Sequence, residues 1–153
     1  MLGVVLYELP RFEDERGWFT EIRRETWFPK STKQTNISFS RAGVIRGLHY
    51  HLRGQDDLFF CLNGMARVVV LDRDTGETFV KDIGDANPIA IYVPGHYAHG
   101  FEALTDLLFC YHVTEEYDPA NPDEHGIPWD DPRVAHLWST SSPILSARDT
   151  PAS

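Results

Sequence analysis

Leu58-Phe59-Phe60-Cys61-Leu62-Asn63-Gly64-Met65-Ala66-Arg67-Val68-Val69-Val70-Leu71-Asp72 is the stretch that decides the fold class. An apolar run stops at Asn63-Gly64, and a β-branched run starts at once. Asn-Gly supplies the positive φ values that a two-residue hairpin turn demands, so this segment predicts two antiparallel strands back to back. Asp74-Thr75-Gly76 turns the chain again, into Glu77 to Ile83. Further on, Ile89 to Val93 ends at Pro94-Gly95, and Leu107 to Thr114 is the last clear strand. On the N-terminal side lie Val44 to His51 and Thr35 to Arg41, the latter alternating so that Ile37 and Phe39 share a face. Gly17 to Ile22 and Met1 to Leu9, closed by Pro10, complete the set. Strands at such close spacing predict an all-β sandwich or barrel. The one helix candidate, Glu25 to Ser31, is limited to about a turn by Pro29. From Asp118 the chain is rich in Pro, Asp and Trp. Exposing Trp129 and Trp138 would be costly, so this tail is expected to dock on the barrel.

A length of 153 residues suits a single domain, 1–153. The net charge of -9 argues against a non-specific nucleic-acid binder, while leaving local arginines free to build an anion site. No basic segment precedes an apolar one at the N-terminus, and no run could span a bilayer. A cytoplasmic protein without a membrane partner is expected. Cys61 and Cys110 both sit in apolar strands, which predicts buried free thiols.

The residues that do not suit a plain core are polar and clustered. In Arg46-Gly47-Leu48-His49-Tyr50-His51, strand alternation places Arg46, Leu48 and Tyr50 on one face and Gly47, His49 and His51 on the other. Pro94-Gly95-His96-Tyr97-Ala98-His99-Gly100-Phe101 reads as a tight entry into a strand whose start faces a cavity. Arg46, His49, His51, His96 and His99 thus gather at two strand ends. Imidazole titrates near neutrality, so it can take a proton and return it, with His49 as the candidate base. A second reading stays open: His49, His51 and His99 could ligate a metal in a cupin-type site. Such sites usually add a carboxylate soon after the His pair. Leu52, Arg53, Gly54 and Gln55 do not supply one, and Arg53 would repel a cation.

Several motifs run in order across nearly the whole chain: Asp14-Glu15-Arg16-Gly17-Trp18-Phe19-Thr20-Glu21, Gln34-Thr35-Asn36-Ile37-Ser38, Val44-Ile45-Arg46-Gly47-Leu48-His49-Tyr50, Ala98-His99-Gly100-Phe101, Tyr111-His112-Val113-Thr114-Glu115-Glu116-Tyr117, Gly126-Ile127-Pro128-Trp129 and Ile144-Leu145-Ser146-Ala147-Arg148-Asp149. In these the sequence resembles the dTDP-4-dehydrorhamnose 3,5-epimerases. The resemblance implies a cupin-type jelly-roll β-barrel with a C-terminal loop or short-helix extension. It also implies a homodimer and a metal-free, cofactor-free epimerisation of a dTDP-linked 4-keto-6-deoxyhexose. By that resemblance His49 is the base, Asp149 its partner and Tyr111 the acid on the opposite face. Arg46 meets the diphosphate. Gln34, Asn36, His51, His99 and Tyr117 line the pocket. Arg16 and Glu21 reach a neighbouring subunit's site, where Phe19 or Trp18 stacks on the base.

One departure stands out. The family usually carries a lysine, in a Gln-x-Lys-Leu pattern, beside the developing enolate, and this chain reads Gln55-Asp56-Asp57-Leu58. An inward-pointing Asp57 would oppose a developing oxyanion. Asp57 is therefore expected to point away, to be offset by another cation such as Arg53, or to mark different chemistry. His51 also replaces the usual glutamine. A 3-, 5- or 3,5-epimerase, or a non-catalytic nucleotide-sugar binder, fits these changes.

Overall fold

The Asn63-Gly64 hairpin forms as expected in the computed structural model, which describes residues 1–151. In chain order the strands are β1 (Val5–Glu8), β2 (Phe12–Asp14), β3 (Gly17–Phe19), β4 (Gln34–Ser40), β5 (Ile45–Tyr50) and β6 (Asp57–Asn63). Then come β7 (Met65–Leu71), β8 (Thr78–Gly84), β9 (Ile89–Val93), β10 (Ala98–Ala103), β11 (Leu107–Val113) and β12 (His125–Gly126). One five-stranded sheet runs β1-β9-β6-β11-β4, the other β12-β5-β10-β7-β8, and β2 with β3 forms a separate hairpin. Among the described residues helix is confined to two 3₁₀ turns, Glu25–Trp27 and Ala135–Leu137. The architecture is the jelly-roll sandwich of the cupins.

Three apolar layers explain why the strands read as nearly continuous hydrophobic runs. Between the sheets lie Phe59, Cys61, Val68, Val70, Ile83, Ile91, Phe101 and Phe109, all buried. Phe101 of one sheet stacks on Phe109 of the other at 3.9 Å between centroids. Val69 and Leu71 point the other way, into a second cluster with Ile45, Leu48, Ala98, Val134 and Trp138. Leu58 and Phe60 likewise face a third cluster, with Leu9, Tyr92 and Cys110. A strand buried on both faces has no polar alternation to show. Cys61 and Cys110 fall on opposite sides of one sheet, both buried and free, as expected.

The expected docking of the tail holds. Val134 and Trp138 are buried against the outer face of the β5-β10-β7 layer, with Ile127, Trp129, Leu137 and Leu145 packed around them. The Trp138 indole N–H donates to the Trp129 carbonyl at 2.8 Å. The chain then returns along β5, where Ile144 bridges Val44 in parallel.

The expected face alternation in β5 holds only in part. Leu48 enters the outer cluster and His49 and His51 face a cavity, but Arg46 lines that cavity too. The reason is a register slip: His99 pairs with His49, yet Phe101 pairs with Arg46. Three residue steps on β5 match two on β10, so a bulge rotates Arg46 to the inner side. Gly47, at φ +136, and Gly100 permit the close approach that goes with it. A Cβ on Gly47 would stand 2.7 Å from the Gly100 Cα, and one on Gly100 would stand 2.4 Å from the Arg46 carbonyl oxygen.

Candidate active site

Between the sheets, beside the aromatic core, opens a cavity of about 790 Å³. Into it the fold brings nine of the twelve residues singled out from the sequence: Gln34, Asn36, Arg46, His49, His51, His99, Tyr111, Tyr117 and Asp149. Strands β4, β5, β10 and β11 supply six of them, and His51 follows directly on β5. Tyr117 stands in the loop after β11, 54% exposed, with its backbone N–H donating to Gln34 Oε1 at 2.9 Å. Gln34 in turn donates to Asn36 Oδ1 at 3.0 Å.

Arg16, Phe19 and Glu21 do not line this cavity. Arg16 pairs with Asp14, Glu21 pairs with Arg24, and Phe19 is 62% exposed on the β2–β3 hairpin. His96 also lies apart, exposed and packed on the Tyr97 ring.

His49 and Asp149 are a hundred residues apart in sequence and meet at 2.7 Å, Nε2 to Oδ1. A local turn aims the carboxylate: the Asp149 N–H donates to the Ser146 carbonyl, and Thr150 Oγ1 does the same at 2.7 Å. The second carboxylate oxygen accepts the Gly47 N–H at 3.2 Å. Burial would raise the Asp149 pKa, but the His49 hydrogen bond, with help from Gly47 and Arg148, holds it below the ordinary value. A proton on Nε2 shared with Asp149 leaves Nδ1 as the ring's lone pair. The guanidinium of Arg148 lies 3.0 Å from the same Nε2 and also pairs with Glu124. Burial pushes the Tyr111 phenol above its ordinary value, with Arg46 and Arg148 opposing weakly. The phenol therefore stays protonated and able to donate.

A second carboxylate–imidazole group sits deeper. Asp57 lies between two histidines, with Oδ2 3.1 Å from His99 Nε2 and 3.8 Å from His51 Nε2. All three side chains are buried. Burial alone would raise the Asp57 pKa, but the two imidazoles push it well below the carboxylate range. Burial alone would lower His51, but Asp57 and the Asp123 contacts outweigh it and raise its pKa. Asp57 thus does not point away, and Arg53 does not offset it. Arg53 lines the cavity but donates to the Asn121 carbonyl at 2.6 Å and lies 3.9 Å from Asp123.

Sequence reasoning gave no role to Arg148, Glu124, Asp123 or Gln55, which line the same cavity. Arg148 had one available signal, its place beside Asp149. The metal reading on His49, His51 and His99 needs correction. His49 is turned to Asp149 across the bulge, and the group that converges is His51, Asp57 and His99. The carboxylate found missing next to the His pair comes instead from the start of β6.

Comparison with known proteins shows the family. The family model described as dTDP-4-dehydrorhamnose 3,5-epimerase matches residues 1–153. The spore coat polysaccharide biosynthesis protein SpsL of Bacillus subtilis is 38% identical, over 90% of this chain and 96% of its own. The dTDP-4-dehydrorhamnose 3,5-epimerase of Escherichia coli is 36% identical, over 95% of this chain and 86% of its own. Among solved structures, NovW, a 4-keto-6-deoxy sugar epimerase from Streptomyces spheroides, superposes with a TM-score of 0.87. It is 31% identical and covers 97% of this chain and 80% of its own. The Legionella pneumophila enzyme, solved with dTDP-4-keto-L-rhamnose, gives 0.85 at 28% identity, over 95% of this chain and 84% of its own. With a jelly roll, a His–Asp pair facing a cavity, and a family match along its whole length, the chain belongs to the dTDP-4-dehydrorhamnose 3,5-epimerase family.

Proposed function

We propose that this chain is an isomerase that epimerises a dTDP-linked 4-keto-6-deoxyhexose at C3, C5 or both. The observation that carries the reading is the His49–Asp149 pair in a cavity that Tyr111 also lines, in a member of this family. A C–H next to a ketone is weakly acidic. Inverting that carbon takes a base on one face and an acid on the other. His49 takes the proton, Asp149 orients the ring and steadies its charge, and Tyr111 returns a proton from the opposite face. Arg46 and Arg148 give the cavity of an acidic chain the cations a diphosphate needs. Gln34, Asn36, His51, His99 and Tyr117 serve as the remaining binding residues.

The active unit in this reading is a homodimer of single cupin-like domains, working in the cytoplasm. Arg16, Phe19 and Glu21 then belong to the neighbouring subunit's cavity. The exposure of Arg16 and Phe19 and the half-buried Glu21 just after the β2–β3 hairpin support this, as do Phe12, Trp18, Ile37 and Phe39, each at least half exposed. The test is incubation with dTDP-4-keto-6-deoxyglucose in heavy water. Deuterium is expected at C3, C5 or both, and the labelled carbon reports which centre is inverted. Folded protein that binds the nucleotide sugar without exchanging any carbon-bound proton would overturn the reading in favour of a binding module.

A further inference from the structure

We propose that His51, Asp57 and His99 form a binding site for one divalent first-row transition-metal ion at the inner end of the cavity. The argument rests on where the hydrogens are. His51 Nδ1 faces the Asp123 carbonyl at 2.6 Å, and His99 Nδ1 faces the Tyr97 carbonyl at 2.9 Å. A carbonyl oxygen only accepts, so both Nδ1 atoms carry hydrogen. This leaves the two Nε2 atoms, which converge on one carboxylate oxygen, as the ring atoms that can lose a proton to make way for a bound ion. Metal-ligating histidines are held in this way, with the far nitrogen tied to a backbone carbonyl.

The spacing fits as well. Donors about 2.1 Å from a shared ion stand roughly 3 to 4 Å apart. The separations from Asp57 Oδ2 are 3.1 Å and 3.8 Å, and all three donor atoms lie within 4.8 Å of one another. Among the described residues no lysine or arginine pairs with Asp57, so a buried carboxylate has only imidazoles to compensate it. Gln55 donates to Asp57 Oδ1 at 2.9 Å and approaches His51 Nε2 at 3.2 Å. On binding, the amide keeps the first contact and gives up the second. Two imidazoles and a carboxylate suit Zn²⁺, Co²⁺, Mn²⁺ or Fe²⁺, and leave coordination positions free on the cavity side. Resting on the epimerase reading, such an ion would supply, where the family usually carries a lysine, the positive charge that Asp57 itself cannot.

The experiment uses untagged full-length protein, stripped with a chelator and titrated with CoCl₂ and ZnCl₂ in the absence of any sugar. One equivalent per chain is expected, with a Co²⁺ visible spectrum of mixed N/O ligation and a rise in Tm. Asp57→Asn and His99→Gln should each weaken uptake at least tenfold, while His49→Asn should leave the stoichiometry unchanged. Uptake far below one equivalent by wild-type protein overturns the site, and the buried charge is then carried by imidazolium alone. Folded Asp57→Asn that loads like wild type overturns it too. Should the variants fail to fold, the wild-type titration and spectrum decide. Because no turnover is measured, failure here leaves the solvent-exchange reading untouched, and failure of exchange leaves this one untouched.

Discussion

The cavity holds two carboxylate–imidazole groups that share chemistry but differ in setting. Asp149 meets one histidine, His49, on a ring with a fifth of its side chain still accessible, and it comes from a tail laid over the outer sheet face. Asp57 meets two histidines, His51 and His99, and all three sit on or beside strands at the closed end. In the proposed function the first pair exchanges a proton with the substrate. The second is tied on every side by backbone carbonyls and Gln55. Burial and tethering, rather than residue type, separate the group proposed to move protons from the one proposed to hold a metal ion.

The largest expected effect tests the proton-moving half. His49→Ala should cut solvent deuterium exchange by about 10²–10⁴-fold, measured by NMR of the substrate, with little change in urea stability. A comparable stability loss would show that the two groups are not distinct in kind. Tyr111→Phe should retain exchange and impair inversion, seen as deuterated starting sugar without epimer. Asp57→Asn tests the other half. Removing one partner of a buried ion pair should destabilise the fold by ~3–5 kcal/mol in urea melts. Native stability in the Asp57→Asn chain would break the contrast. Trp138→Ala strips the tail of its anchor and should lower stability by ~3–5 kcal/mol. Exchange should fall with it, because Asp149 loses its support. The mildest test is pH. Asp149 has a folded pKa below its ordinary 3.8. Its contribution is therefore fully present above that value and is lost as pH falls through the lower folded value. An Asp149→Asn chain should lack this part of the acid-side loss in stability–pH curves, and identical curves would sharpen the case that the pair matters only in turnover.

Much of the fold was legible because its strands are long, β-branched and punctuated by Asn63-Gly64, Asp74-Thr75-Gly76 and Pro94-Gly95. The three-residue β2 and two-residue β12 were not, since strands so short carry no period to read. Gly17 to Ile22 pairs only as far as Phe19, because β2 offers three partners. The inward face of Arg46 was hidden by a bulge, which depends on pairing and leaves no local pattern. His49 was readable from its strand. Asp149 was reachable only through family resemblance, since a tail residue gives no hint of a partner a hundred positions away. Asp57 was recognised as an anomaly, yet its resolution needed the third dimension: the misfit charge is enclosed by His51, itself a departure, and His99.

Gly47 and Gly100 interlock so tightly that neither tolerates a methyl group. A random-mutagenesis screen of this chain should therefore recover null alleles at these two positions about as readily as at His49. Neither carries a side chain that could accept a proton. A map of mutational tolerance drawn from such a screen would mark them as functional hotspots, and the mark would report first that two backbones pass there without room between them.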